Sequence, residues 1–329
     1  MREPAFWWRP PGLVSGLLAP LGATYGMIAE RRMTRRGALA GLPVICVGNF
    51  TLGGTGKTPT ALMLVALLRD LGATPFFLTR GYGSSLEGPH RVDHEKDSAA
   101  QVGDEALLLA RAAPTIVARD RVLGAAFAKA MGASVVVMDD GLQNPSLAKT
   151  LTIAVVDGKR GIGNGQVFPA GPLRAPLNIQ MTRCDVLLVV GDGEAARAVT
   201  SRAGARPVLH GRLAPESTVV SALHARKVLA FAGIGDPDKF FATAEQAGIA
   251  IAERRAFSDH HRFSAEEAAD LVMSAERDGL SLLTTEKDRA RMAGDPALAA
   301  LAAKAHVLPV TMVVEENEKL RALIARAIA

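Results

Sequence analysis

Cysteine is nearly missing from this chain. Cys46 lies inside an apolar run and Cys184 just before another, which speaks against a disulfide framework and for a reducing compartment. Internal repeats and low-complexity tracts are lacking too, so fibrous and disordered classes fall away. Charge of one sign is scarce: the net value is +5, and no nucleic-acid partner is expected from so modest a balance. What remains is a chain of 329 residues, 49% hydrophobic, long enough to bury a large core in two domains.

The positive charge is unevenly placed. Arg31, Arg32, Arg35 and Arg36 follow directly on an uncharged stretch from Pro10 to Ala29. A cleaved leader would carry its arginines before the apolar part, so none is expected. Helical spacing gives this stretch a small-residue stripe (Gly12, Ser15, Gly16, Ala19, Ala23, Gly26) and a bulky one (Leu13, Leu17, Leu21, Tyr25, Ile28), with Pro20 as an interruption. A helix over 12–29 would span about 27 Å, marginal for a hydrocarbon core of about 30 Å. The reading favoured here is an amphipathic membrane-interface helix within residues 1–36, with Trp7 and Trp8 at headgroup level and the arginines on an anionic membrane surface. Packing on its own domain and a true span are the alternatives.

Gly48 to Pro59 read GNFTLGGTGKTP, between the apolar run Val44–Val47 and a leucine-rich helical segment, Leu62–Leu71. Glycines let consecutive backbone N–H groups converge on phosphate oxygens while the helix presents its positive end. Gly53, Gly54, Thr55 and Gly56 form the cradle, Lys57 adds a cation, and Thr58 offers a hydroxyl suited to Mg²⁺. The front end departs from the strict P-loop pattern, with Thr51 where glycine would stand. The spacing is that of the deviant P-loop subclass, whose usual extra lysine is replaced by Leu52.

Strands and helices then alternate through Pro75–Thr79, Asp104–Ala112, Thr115–Ala118, Arg121–Met131, Ser134–Asp139, Leu151–Asp157 and Val186–Val190. Such alternation predicts an α/β fold, P-loop NTPase-like, with a mostly parallel sheet covered by helices over residues 37–215. Residues 80–102 and 158–183 lack periodicity and are expected to be functional loops. A second alternation, from Lys227–Ala232 to His306–Val313, predicts a smaller α/β lobe over 216–329.

Val135–Met138 end in Asp139 and Asp140, the form of a Walker B element that brings carboxylates to the sheet edge beside the P-loop. Asp104 and Glu105 open an apolar helix, where they either cap it or serve as a proton acceptor and a metal ligand. His260 and His261 follow Asp259; adjacent residues rarely ligate one ion, so zinc is not expected, and His260 is read as orienting a carboxylate or capping its own helix. Arg80 and Tyr82 follow a strand to the same edge as the P-loop, and Asn164 and Arg174 lie in Gly/Pro-rich turns that could present an arginine beside a cleft.

Taken together and in order, these motifs resemble the tetraacyldisaccharide 4′-kinase family, which makes lipid A in Gram-negative bacteria. The likeness runs through Gly53–Pro59, Arg80–Gly83, Gly103–Glu105, Asp139–Gln143, Gly163–Gly165, Pro169–Arg174, Phe231–Gly235, Asp259–His260 and Thr285–Asp288. One departure is Ala175, where the family often has an acid. The resemblance implies transfer of the ATP γ-phosphate to the 4′-hydroxyl of an acylated disaccharide 1-phosphate lipid, giving lipid IVA, at the cytoplasmic face of the inner membrane. It further implies Asp104 as base with His260 tuning it from the other lobe, and Lys57, Thr58, Asp139 and Asp140 on phosphates and Mg²⁺, with Glu105 as a further metal candidate. Arg80, Tyr82, Gln143, Asn164 and Arg174 are the expected substrate contacts. A membrane-recruited switch ATPase is the rival class.

Overall fold

Val44–Gly48 is buried along its whole length, as a strand covered on both faces must be, and the architecture is arranged around it. The structure, a computed structural model, describes residues 3–329, so the first two residues of the expected 1–36 segment lie outside the described residues. Helix α1 (Leu13–Met33) precedes this strand, β1, and α2 (Lys57–Asp70) and β2 (Pro75–Thr79) follow it. The long segment after β2 holds only β3 (His90–Arg91) and the single turn α3 (Ala99–Val102). Then come α4 (Asp104–Ala112), β4 (Thr115–Val117), α5 (Arg121–Ala130), β5 (Val135–Asp139), β6 (Leu151–Asp157), α6 (Leu177–Thr182), β7 (Val186–Val190), α7 (Arg197–Thr200) and β8 (Val208–Pro215).

A second sheet begins after α8 (Ser217–Leu223). Its strands β9 (Lys227–Ala232), β10 (Ala250–Ala256), β11 (Ser281–Thr284) and β12 (His306–Val307) lie in the order β10-β9-β11-β12, all parallel. Helices α9 (Pro237–Gln246), α10 (Ala265–Arg277), α11 (Glu286–Met292) and α12 (Ala299–Lys304) alternate with them. The chain then leaves this lobe, because β13 (Val310–Val314) pairs antiparallel with β8 and α13 (Asn317–Ile328) follows. The larger sheet therefore has nine strands in the order β13-β8-β7-β6-β1-β5-β2-β4-β3, parallel except at its two ends.

That return corrects the expected lobe of 216–329. Met312, Val314, Leu320 and Ile324 are buried in one core with Ile45, Leu64 and Val190, so the last segment belongs to the larger unit. The expected single strand over His306–Val313 breaks at Leu308–Pro309 for the same reason: Pro309 has no N–H for a ladder, and its carbonyl instead accepts from Glu216 N at 3.0 Å.

Helix α1 runs unbroken through Pro20 to Met33. Ser15, Gly22 and Gly26 are its buried face, against Val167, Ala170 and Pro176, while the bulky stripe points outward, with Leu17 80% exposed. It is the one helix among the described residues long and apolar enough to cross a membrane. The tryptophans depart from expectation. Trp7 is 6% exposed and donates its indole N–H to Pro169 O at 3.0 Å, while Trp8 donates to Glu3 Oε2 at 3.1 Å beneath the Arg160 guanidinium. Indole N–H groups with partners in the protein have no need of headgroups.

A side chain at Gly22 would place its Cβ 2.8 Å from the Val167 carbonyl oxygen. Gly22→Leu is expected to destabilise the protein by about 1–3 kcal/mol through overpacking, read as a lowered unfolding temperature, while Leu17→Ala on the outer face leaves that temperature unchanged in detergent.

Candidate active site

Beyond β1 the chain turns through 49–56 into α2. Gly53 and Gly56 stand at φ 99° and 98°, a region that strains any side chain, and Gly56 caps α2 so that the helix's free N–H groups face the turn. Thr58 and Thr55 are buried, and the Thr55 hydroxyl has no partner among the described residues. Glu3 Oε1 rests against Gly53, held there by Arg160, which donates to Glu3 Oε2 at 2.9 Å.

Strand β5 pairs with β1 in a register that sets Asp139 beside Val47, so the two carboxylates emerge next to the phosphate turn. Asp139 Oδ1 is buried with no partner among the described residues. Burial, helped by the nearby Glu105 and Asp140 charges, pushes its pKa up to about 7. Asp140 fares differently. Burial pushes the same way, but Arg174 and Lys57 outweigh it and hold the carboxyl well below its ordinary value: Arg174 Nη1 donates to both oxygens at 2.7 and 2.8 Å, and Lys57 Nζ stands 3.8 Å away.

Asp104 begins α4 and is buried. Its Oδ1 accepts from Glu105 N at 3.0 Å. Its Oδ2 faces the smaller lobe, where His260 Nδ1 donates at 3.2 Å and Arg291 Nε at 2.6 Å. Burial works to raise the Asp104 pKa, and the His260 hydrogen bond together with the Arg291 charge overrides it, keeping the group ionised. His260 moves the opposite way: its bond to Asp104 raises its pKa against burial. His260 and Asp140, at φ 55° and 52°, are the two non-glycine residues at positive φ among the described residues, and strain of this kind gathers at functional sites.

The remaining expected residues divide into two groups. Arg174 is at the cleft, also donating from Nε to Thr51 O at 2.9 Å. Tyr82 is 66% exposed and its ring lies 4.9 Å from that of His260; Arg80 beside it is exposed. Gln143 and Asn164 depart from the expectation of substrate contact, because their amides hold the fold. Gln143 Nε2 donates to Asn49 O and to Gln180 Oε1, both at 2.7 Å. Asn164 donates to Ala170 O at 2.9 Å and accepts from Gln166 N at 3.0 Å, closing its own loop. Glu105, expected on the metal, is instead paired with Lys287 at 2.6 Å.

Lys287 and Arg291 carry the main surprise. They lie four apart on α11, hence on one face of the helix, and meet Glu105 and Asp104 across the lobe boundary. Thr285 capping a helix with two cations on one side was the available signal; nothing local could say which acids they would find.

The fold and this edge of the larger sheet define a P-loop phosphotransferase of two α/β lobes. A family model described as tetraacyldisaccharide-1-P 4′-kinase matches residues 14–329. The tetraacyldisaccharide 4′-kinase of Rhodopseudomonas palustris (strain BisB5) is 57% identical over 330 residues, covering 100% of this chain and 97% of that protein. The protein of the same name from Methylobacterium sp. (strain 4-46) is 58% identical over 312 residues, 94% of each. Among solved structures, LpxK from Aquifex aeolicus in complex with ATP superposes with a TM-score of 0.75 at 27% identity, over 96% of this chain and 100% of that one. The chain belongs to the tetraacyldisaccharide-1-phosphate 4′-kinase family.

Asp139 binds its proton more tightly in the fold than in the unfolded chain, where the carboxyl keeps its ordinary 3.8. Its contribution to stability is therefore full below about pH 4 and declines as pH rises through about 7. In metal-free protein, the unfolding temperature of Asp139→Asn relative to wild type is expected to climb between pH 5 and pH 8, as calorimetry would register.

Proposed function

We propose that this cleft transfers the γ-phosphoryl group of ATP to the 4′-hydroxyl of a tetraacyldisaccharide 1-phosphate, the lipid IVA-forming step of lipid A synthesis, with Asp104 accepting the hydroxyl proton. The family supports the reaction. The observation that supports the assignment of roles is the meeting of Asp104 with His260 of the other lobe at 3.2 Å, on the sheet edge that also carries Lys57 and Asp139. Phosphoryl transfer asks mainly for alignment and charge neutralisation. A carboxylate held ionised by His260 and Arg291 is ready to accept a hydrogen bond from the alcohol, and the proton follows as the new P–O bond forms. Lys57 and the free N–H groups of the α2 start hold the phosphates. Arg174, fixed on Asp140, and the exposed Arg80 and Tyr82 are the side chains open to the sugar phosphate.

A magnesium ion suits the oxygens present. The buried, unpartnered Asp139 Oδ1 and the Thr58 hydroxyl are hard donors, whereas Asp140 is engaged by Arg174. When bound, the ion supplies neutralisation of phosphate charge. Asp139 is thus the favoured ligand of the pair, and Glu105 would have to leave Lys287 to join it.

Helix α1 supplies the membrane contact in this reading. Its outward leucines enter the interface while its small residues grip the 167–176 loop that bears Arg174, so a lipid whose acyl chains stay in the bilayer arrives beside the cleft. Arg31, Arg32, Arg35 and Arg36 favour the anionic cytoplasmic leaflet.

Asp104→Asn is expected to lower kcat by about 10²–10⁴-fold with affinity for a non-hydrolysable ATP analogue unchanged; a change confined to KM for the nucleotide would refute the base role. ATP consumption should require the acylated acceptor, since a switch ATPase would hydrolyse ATP without it. Leu17→Glu should weaken sedimentation with anionic vesicles and raise KM for the lipid, leaving nucleotide binding intact.

A further inference from the structure

Lys287 and Arg291 leave the same face of α11, yet their surroundings differ. Arg291 is 4% exposed and closely held: its Nε donates to Asp104 at 2.6 Å and its Nη1 to Asp288 at 2.7 Å and to Gly233 O at 2.5 Å. Asp288, fully buried, also accepts from Gly233 N and the Thr285 hydroxyl, which pins the start of α11 against the end of β9. This is a clamp. Lys287 is held differently, with its side chain 28% exposed and a single partner, Glu105, for an ammonium that has three donors.

The place where Lys287 ends is informative. Its partner Glu105 opens α4 beside Asp104, and α4 packs against both α11 and α2, the helix that Lys57 opens; the charges of both lysines act on Glu105 and Asp139. The two lysines therefore stand on helices that share α4 as a neighbour, one from each lobe. A phosphate drawn to Lys57 comes within the field of Lys287, and a cation shared with it costs no new burial.

We propose that Lys287 is a second phosphate-contacting lysine, carried in cis by the smaller lobe and directed at the terminal phosphate of the nucleotide. With the nucleotide bound, its two free donors turn to the γ-phosphate oxygens, where they stabilise the charge that gathers during transfer. Because the lysine rides on the smaller lobe, the site is complete only when the lobes are together. The inference rests on the P-loop taking a nucleoside triphosphate.

Binding of a non-hydrolysable ATP analogue and of ADP, each with magnesium, to the full chain in detergent tests it. Lys287→Met should weaken the ATP analogue about tenfold or more while ADP stays within about twofold, and kcat should fall about 10²-fold or more; Lys287→Arg should recover part of the analogue affinity. An unchanged ratio of analogue to ADP affinity overturns the inference. So does recovery of kcat when Glu105→Gln is added to Lys287→Met, because the lysine would then serve only to neutralise Glu105. Should Lys287→Met not fold, Glu105→Gln/Lys287→Gln leaves no lone buried charge, and the same affinity ratio decides. Wild-type protein that binds neither nucleotide overturns the P-loop reading and this inference with it.

Discussion

Asp104, Glu105, Asp139 and Asp140 are crowded into one largely buried cleft, and the arrangement of both lobes answers to that density of negative charge. Ionised carboxylates so placed must be paired. The larger lobe provides Lys57 and Arg174, and the smaller one provides His260, Lys287 and Arg291. Association of the lobes is thus tied to the state of the cleft, since the groups that hold them together also set the protonation of Asp104 and Glu105. Among the described residues Asp139 is the one of the four with no cation at ion-pair distance, and burial with the neighbouring Glu105 and Asp140 charges outweighs the more distant Lys57 and Lys287, so its carboxyl resists ionising.

The larger sheet was legible because its central strands are covered on both faces and read as unbroken apolar runs, as in Val135–Met138. The phosphate turn was legible for a similar reason: Gly53, Gly56, Lys57 and Thr58 answer to local chemistry. Strands β8 and β10 were missed. Ala250–Ala256 is an edge strand that alternates exposed and half-buried positions and carries Glu253, Arg254 and Arg255, while Val208–Pro215 contains His210, Gly211 and Pro215; neither has the apolar density of a core strand. The pairing of Asp104 with His260, 156 positions apart, came from family likeness, because no periodicity links residues on different sheets. Gln143 and Asn164 show the reverse error. Polar residues in conspicuous turns invite a ligand reading, but a tight turn has its own donors and acceptors to satisfy first.

The N-terminal helix shows that two of the competing readings were compatible. Small residues allow close approach to the 167–176 loop, and the bulky ones, displaced around the same helix, are left facing out. Pro20 did not break the helix: only one backbone donor is lost there, and the carbonyl it would have met, that of Gly16, belongs to an exposed residue and can be solvated.

Strand β13 and helix α13 have a consequence for biosynthesis. Met312, Val314, Leu320 and Ile324 pack with Leu64 and Val65 of the helix behind the phosphate turn, so the support of that turn is assembled from segments on either side of the smaller lobe. A nascent chain on the ribosome can finish the inserted four-stranded lobe, but the larger lobe stays open along one border until β13 and α13 emerge. The wall behind the phosphate turn is therefore closed only after the smaller lobe has been made, and a translation product cut short just past the insertion would carry every side chain of the cleft yet lack the support behind them.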